Sequence, residues 1–300
     1  MNISELKAKA REVLRYSYWW SVLVSFIFAI VCGGGRGAGS SSSSQLASEG
    51  GYGEFSNLPL AVWVGIITVA VIFILIGAAI AVFVSNPVRI GHNSFYIKAA
   101  LRDVRFGHMA DGFRYNYKNN VKTMFLYDLY IALWSFLFSV IMSVIFLILT
   151  AAAVFALNDG TLANMTDALL DGNDIRIMLL FALYITLWSL MIGIPIYIKK
   201  CQYFMVEYII AENPEISSKR AFEISKKTMK GQKFNVFVLD VSFIGWVLLG
   251  ILACCIGVHF VMPYYYAART QCYFYLKEIA VRNGVAEYGD FSPVKDPNIF

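Results

Sequence analysis

Two aspartates lie inside apolar stretches of this chain, Asp128 and Asp240, and each is followed six residues later by a tryptophan, Trp134 and Trp246. A carboxylate at membrane depth costs about 2.5–3.5 kcal/mol on insertion scales, so it marks a functional candidate. At equivalent depth the two could share a proton or bind a cation in a polar cleft. They could equally accept hydrogen bonds from Tyr, Ser or Trp groups, or pair with Arg89, Lys200 or Arg269, and lock a helix bundle. The structural role is the favoured expectation.

A second group is cationic. Between Glu212 and Lys233, Ser217 is a good helix N-cap and Gly231 a good stop. At about 100° per residue, Ala221, Phe222, Ile224, Ser225, Thr228 and Met229 share one face, and Lys219, Arg220, Glu223, Lys226, Lys227 and Lys230 the other. This predicts an amphipathic helix at the membrane interface. Lys219, Arg220, Lys226, Lys227 and Lys230 are its candidate lipid-surface residues, each contributing about 1 kcal/mol near anionic lipid. The helix reads either as an anionic-lipid sensor or docking helix, or as an elbow that orients the following span. The small apolar face favours the elbow.

Other chemistry is not signalled. His92, His108 and His259 fall in separate segments without metal spacing, and five cysteines show no disulfide framework. No serine sits in a nucleophile elbow and no glycine-rich phosphate loop follows a strand. These patterns call for no enzyme activity and no cofactor. The net charge of +5 tracks the membrane rule below and implies no nucleic acid.

The elements that must position these residues are apolar. Hydrophobic residues make up 58% of the 300 and charged residues 15%, far from the soluble norm. A bilayer core about 30 Å thick takes about 20 apolar residues as helix. Tyr16–Cys32, Pro59–Val84, Thr123–Leu157, Ile177–Ile198 and Phe234–Leu252 are five such stretches, and Val258–Val281 is a weaker sixth. The third contains neither Gly nor Pro, which argues for one long tilted helix rather than a hairpin.

Lys and Arg crowd the N-terminal segment and the connectors after spans two and four, whereas Arg36 and Arg176 are the sole basic residues of the connectors after spans one and three. Cytoplasmic connectors hold the Lys/Arg excess. Both chain ends are therefore expected in the cytosol, which requires an even number of spans; five spans would put the tail outside. The basic residues 1–15 before an apolar run also fit a signal peptide, but an uncleaved first span is preferred. The Gly/Ser-rich connector Gly33–Asn57 and the acidic connector Asn158–Asp174 would lie outside, and residues 283–300 read as a disordered cytoplasmic tail.

A weak internal repeat runs through the spans. Pro87, Pro195 and Pro263 each introduce an aromatic and basic stretch, Arg89 to Tyr96, Tyr197 to Tyr208 and Tyr264 to Tyr275. Three helical hairpins related in parallel would produce this pattern, as would convergent interfacial composition. The expected fold is thus an all-α six-helix polytopic membrane bundle over residues 1–282.

Ala211-Glu212-Asn213-Pro214, Met229-Lys230-Gly231, Leu239 through Trp246, Pro263-Tyr264 and Phe274-Tyr275 together resemble the bacterial integral membrane proteins grouped as domain of unknown function 975. The N-terminal half matches in hydropathy and layout. The group is similar to the membrane domain attached to some glycerophosphodiester phosphodiesterases. That likeness implies a lipid-facing role without catalysis, and the family supplies no catalytic residues to carry over. The expectation is a non-enzymatic, multi-pass module of a bacterial cytoplasmic membrane. It would bind the lipid bilayer, anionic lipid in particular, or a membrane-protein partner through its basic cytoplasmic face. The alternative is a small-solute transporter, or an accessory subunit of one, that uses Asp128 and Asp240.

Overall fold

The computed structural model describes residues 2–33, 60–156, 175–252 and 256–291, all helices and turns with no strand among them. The glycine/serine-rich connector beyond Gly33, the acidic connector, the turn at 253–255 and the last nine residues of the expected tail lie outside the described residues. Four segments are long and apolar enough to cross a membrane: Ile3–Cys32, Val62–Ala100, Tyr117–Ile148 and Lys233–Leu252. The protein is an all-helical membrane protein. It divides into two compact units, residues 1–126 with 203–300, and residues 127–202.

The first unit opens with helix α1 (Ile3–Phe28), which ends in a π-helical turn, Ala29–Gly33. Leu6, Ala10, Val13, Leu14, Ser17, Ser21, Val24 and Ser25 form its buried stripe at three- and four-residue spacing. The small serines let a neighbouring helix come close. Ser25 Oγ and Tyr96 Oη lie 2.8 Å apart, and Tyr96 also donates to Ser21 O at 3.3 Å.

Tyr96 belongs to the central element. Helix α2 (Leu60–Ile80) is apolar and exposed along its length from Val62 onward. A π-helical turn, Ala81–Ser85, then leads into α3 (Asn86–Ala100), which begins with Pro87 where a missing N–H does no harm. Twelve of the fifteen residues of α3 are buried, among them Asn86, His92, Asn93 and Ser94. The following segment folds back on α3: a 3₁₀ turn (Phe106–Ala110) and α4 (Asp111–Arg114) pack along it. Two glycines permit this approach. A Cβ on Gly91 would lie 1.9 Å from Met109 O, and one on Gly112 would lie 2.0 Å from Pro87 O.

Helix α5 (Tyr117–Ala156) is one unbroken helix of 40 residues, as the lack of Gly and Pro predicts. At 1.5 Å per residue it is about 60 Å long, twice the hydrocarbon thickness. Its first turns belong to the first unit; the rest forms the second unit with α6 (Ile175–Gln202), which carries Pro195 in its interior.

The chain returns to the first unit through α7 (Phe204–Glu212), α8 (Ser218–Thr228), α9 (Lys233–Val241), α10 (Ile244–Leu252), α11 (Ile256–Arg282) and α12 (Tyr288–Phe291). The fifth apolar stretch is therefore interrupted by a turn at Ser242–Phe243 rather than continuous. Beyond it α10 and α11 lie very close, since a Cβ on Gly250 would meet Val258 N at 2.8 Å. Helix α11 packs against α1, α3, α7 and α8.

The apolar face of α8 is buried against α7 and α11. One expectation changes. The tail expected to be disordered from residue 283 begins as structure. Phe291 is buried beside Tyr273 and the ammonium of Lys277, and Arg220 grips Asp290 with bonds of 2.8 and 3.3 Å. The polar composition of 283–291 hid this, because one buried ring and one ion pair suffice to hold a short segment.

Candidate functional site

In the first unit, the stretches 89–96 and 264–275 and the part 203–208 of the third aromatic and basic stretch come together. Asn86, Arg89, Asn93 and Tyr96 share one face of α3 at helical spacing, with His92 beside them. Arg89 reaches Glu207 of α7 at 3.5 Å, and Asn93 Nδ2 donates to the other oxygen of Glu207 at 3.5 Å. The His92 ring stacks on Phe28 at 4.2 Å, with Tyr266 edge-on at 4.4 Å and Tyr96 at 5.0 Å.

From α11 a second chain of bonds runs outward. Arg269 Nη1 donates to Tyr265 Oη at 2.8 Å, and Tyr265 Oη donates to Asp240 Oδ1 at 3.1 Å. The Arg269 guanidinium also lies over the Phe204 ring at 4.8 Å. Buried charge is tolerated only when compensated, and here Arg89, Arg269, Glu207 and Asp240 balance one another. Asn86 Nδ2, His92 Nε2 and Arg269 Nε are buried with no hydrogen-bond partner among the described residues, so each can take one more.

Two satellite networks hold this centre in place. Asp111 accepts from Ser94 Oγ at 2.7 Å and Lys98 Nζ at 2.6 Å and lies 3.3 Å from His108 Nδ1. His108 Nε2 meets Asp103 at 3.0 Å, and the Arg105 hydrogen bonds hold the Asp103 carboxyl down at about 2. On the other side Glu212 takes 2.5 Å bonds from Tyr273 Oη and from Lys277 Nζ, whose side chain is only 4% exposed. Asn213 Nδ2 donates to Asp290 O at 3.1 Å and its Oδ1 accepts from Glu215 N at 3.1 Å. The Ala211–Pro214 motif thus closes a turn and ties it to Asp290.

The cationic helix forms as its spacing predicts. Ser217 Oγ caps α8 by accepting from Arg220 N at 3.3 Å, and Gly231 beyond it has φ +87. Lys219 and Lys226 are exposed on its outer face, and Lys230, in the turn just beyond it, is exposed too. Lys227 pairs with Glu223 at 2.6 Å, and that hydrogen bond holds the Glu223 carboxyl below its usual range. Arg220 is committed to Asp290, whose hydrogen bonds push the guanidinium further up.

The remaining sequence candidates separate. Asp240 joins the Tyr265–Arg269 chain. Trp246, six residues on, is 51% exposed and faces outward. In the second unit, described by itself, Asp128 is half-buried, and Trp134 lies under the Lys199 ammonium at 3.4 Å from its ring centre. Glu207, Tyr265, Tyr266 and His92 were not singled out by sequence. Their signal was the proline-introduced aromatic stretches, which bring α3, α7 and α11 to one centre, whereas a lone histidine in each segment carried no pattern.

A comparison with protein families matches residues 1–282 to one described as "Protein of unknown function (DUF975)". No curated protein and no solved structure matches.

Proposed function

The chain belongs to the DUF975 family, and from that premise and its geometry we propose a non-enzymatic module of a bacterial cytoplasmic membrane whose rigid cationic face engages anionic headgroups. The observation that carries this is the locking of α8. Its apolar face is spent on α7 and α11, while Lys219 and Lys226 on the helix and Lys230 just past its end are exposed. Contact through this face is electrostatic, with about 1 kcal/mol from each lysine. The likeness to the membrane domain of glycerophosphodiester phosphodiesterases would assign the same lipid-facing role.

The proposal includes six spans with both ends cytosolic, arranged as three hairpins. The close approach of α10 and α11 supports the last hairpin, and the basic connectors support the orientation. The Tyr265 hydrogen bond to Asp240 favours a carboxylate held in place in the bundle over a transport site.

An environment-sensitive dye on Lys226→Cys of the full-length protein in nanodiscs tests the reading. Adding anionic lipid should shield the dye from an aqueous quencher, and salt should reverse this. Shielding that ignores both lipid charge and salt overturns the cationic-face reading.

A further inference from the structure

The turn that interrupts the fifth apolar stretch lies beside a groove. Asp240 and Tyr265 belong to the lining of a cavity of about 290 Å³ between the α9–α10 segment and α11. Ile244, Val247, Leu248 and Met262 line the rest. From Asp240 to Leu248 the helices rise about 12 Å, so the groove is a short apolar trough with a carboxylate in its lining. Ile244 and Leu248 are more than half exposed in the protein alone, and this segment is one of the four able to cross a membrane, so the trough opens toward lipid.

One charge lies in its lining and another lies next to it. Asp240 is held there through the Tyr265–Arg269 chain. Phe243 also lines the groove, and Lys7 Nζ lies 4.6 Å over its ring while donating to Ser242 O at 3.1 Å. An ammonium at a carbonyl that ends a helix sits where the helix dipole favours a cation. Arg11, one turn along α1 from Lys7, is exposed. The groove thus holds a carboxylate in its lining, and an ammonium lies over Phe243, one of the rings that line it.

We propose that this groove binds one phospholipid with a primary-amine headgroup, a phosphoethanolamine lipid. Its acyl chain lies along Ile244, Val247, Leu248 and Met262. Its ammonium donates to Asp240, and its phosphate faces Lys7 and Arg11. A choline headgroup has no N–H to donate, and a glycerol headgroup has no cation. The site is separate from the α8 face, goes beyond the function proposed above, and stands or falls independently of it.

The test is lipid co-retention by the full-length protein in mild detergent, with dioleoyl phosphatidylethanolamine, phosphatidylcholine and phosphatidylglycerol as probes, read by mass spectrometry. Phosphatidylethanolamine should be retained about tenfold over the other two, the effect of one charge-assisted hydrogen bond. Asp240→Asn should erase that preference. Leu248→Trp, at an exposed position, should fill the trough and lower retention of all three lipids; it keeps the test informative if Asp240→Asn does not fold. Lys226→Gln/Lys230→Gln should leave the preference intact, and Asp240→Asn should leave the α8 dye response intact. Equal retention of the three lipids, a preference for phosphatidylglycerol, or wild-type retention by the Leu248→Trp variant overturns the proposal.

Discussion

Helices α2 and α3 follow one another along the chain and invert the usual relation between composition and burial. α2 is almost wholly apolar and exposed from Val62 onward. α3 carries Asn86, Arg89, His92, Asn93 and Ser94 and is enclosed by α1, α7, α11 and the folded connector. Where the solvent is lipid, apolar side chains need no protein cover, and packing between helices draws on close approach and hydrogen bonds instead. In α2 hydropathy therefore reports the bilayer, and in α3 polarity does not report exposure.

Substitution at glycine breaks that comparison most sharply. Gly91→Ala drives a Cβ into the backbone of Met109, at 1.9 Å, where no flexible side chain can give way. Ordinary overpacking costs about 1–3 kcal/mol; this should exceed it and abolish monodisperse folded protein in size-exclusion chromatography. Gly77→Ala in α2 meets nothing within 4 Å and should behave as wild type. If the two variants elute alike, the enclosed packing of α3 is wrong.

Ion pairs repeat the contrast at lower amplitude. Lys277→Met leaves the largely enclosed Glu212 without its ammonium, which should cost about 3 kcal/mol and lower the thermal midpoint clearly. Lys227→Ala removes an exposed i,i+4 pair with Glu223, worth about 0.3–0.5 kcal/mol, and should shift the midpoint barely. Equal shifts would mean that the Lys277 site is wet.

The unevenness of what could be read from sequence follows from the same inversion. The long α5, the α8 cap at Ser217 and the stop at Gly231 were legible because local periodicity and turn chemistry decide them. Asp240 was legible as a polar residue in an apolar run. The burial of α3 was not, because no local pattern separates a polar helix in a core from a polar helix in water. Its enclosure depends on Gly91 and Gly112 meeting backbone from distant turns. The Asp290 clasp was invisible for the same reason, since its partner Arg220 lies 70 residues away.

That clasp sits at the margin of the polar body and should be its weakest part. Burial raises the Asp290 carboxyl, but hydrogen bonds from Arg220 and from Glu287 N–H outweigh it and hold it below the usual range. A depressed folded value means the stabilisation is present above the ordinary carboxylate range, near about 4, and is lost as pH falls through the lower folded value. Arg220→Ala should therefore reduce the amide protection of residues 283–291 about fivefold, for a loss of about 1 kcal/mol, and acidification should narrow the gap to wild type. A gap that is constant with pH would assign the clasp to Phe291 packing alone.

The smallest stability effect is expected on the outer face of α8. Lys226 and Lys230 touch neither the helix core nor the Asp290 clasp, so Lys226→Gln/Lys230→Gln should leave the thermal midpoint within about 0.5 kcal/mol of wild type. The same pair should remove about 2 kcal/mol of attraction to an anionic surface, seen as lost salt-sensitive shielding of a dye placed at Lys219→Cys. The two faces of one helix would then divide their work, the inner one holding the fold and the outer one meeting the membrane. A large drop in midpoint would instead show that these lysines are structural, which would remove the basis for a cationic docking face.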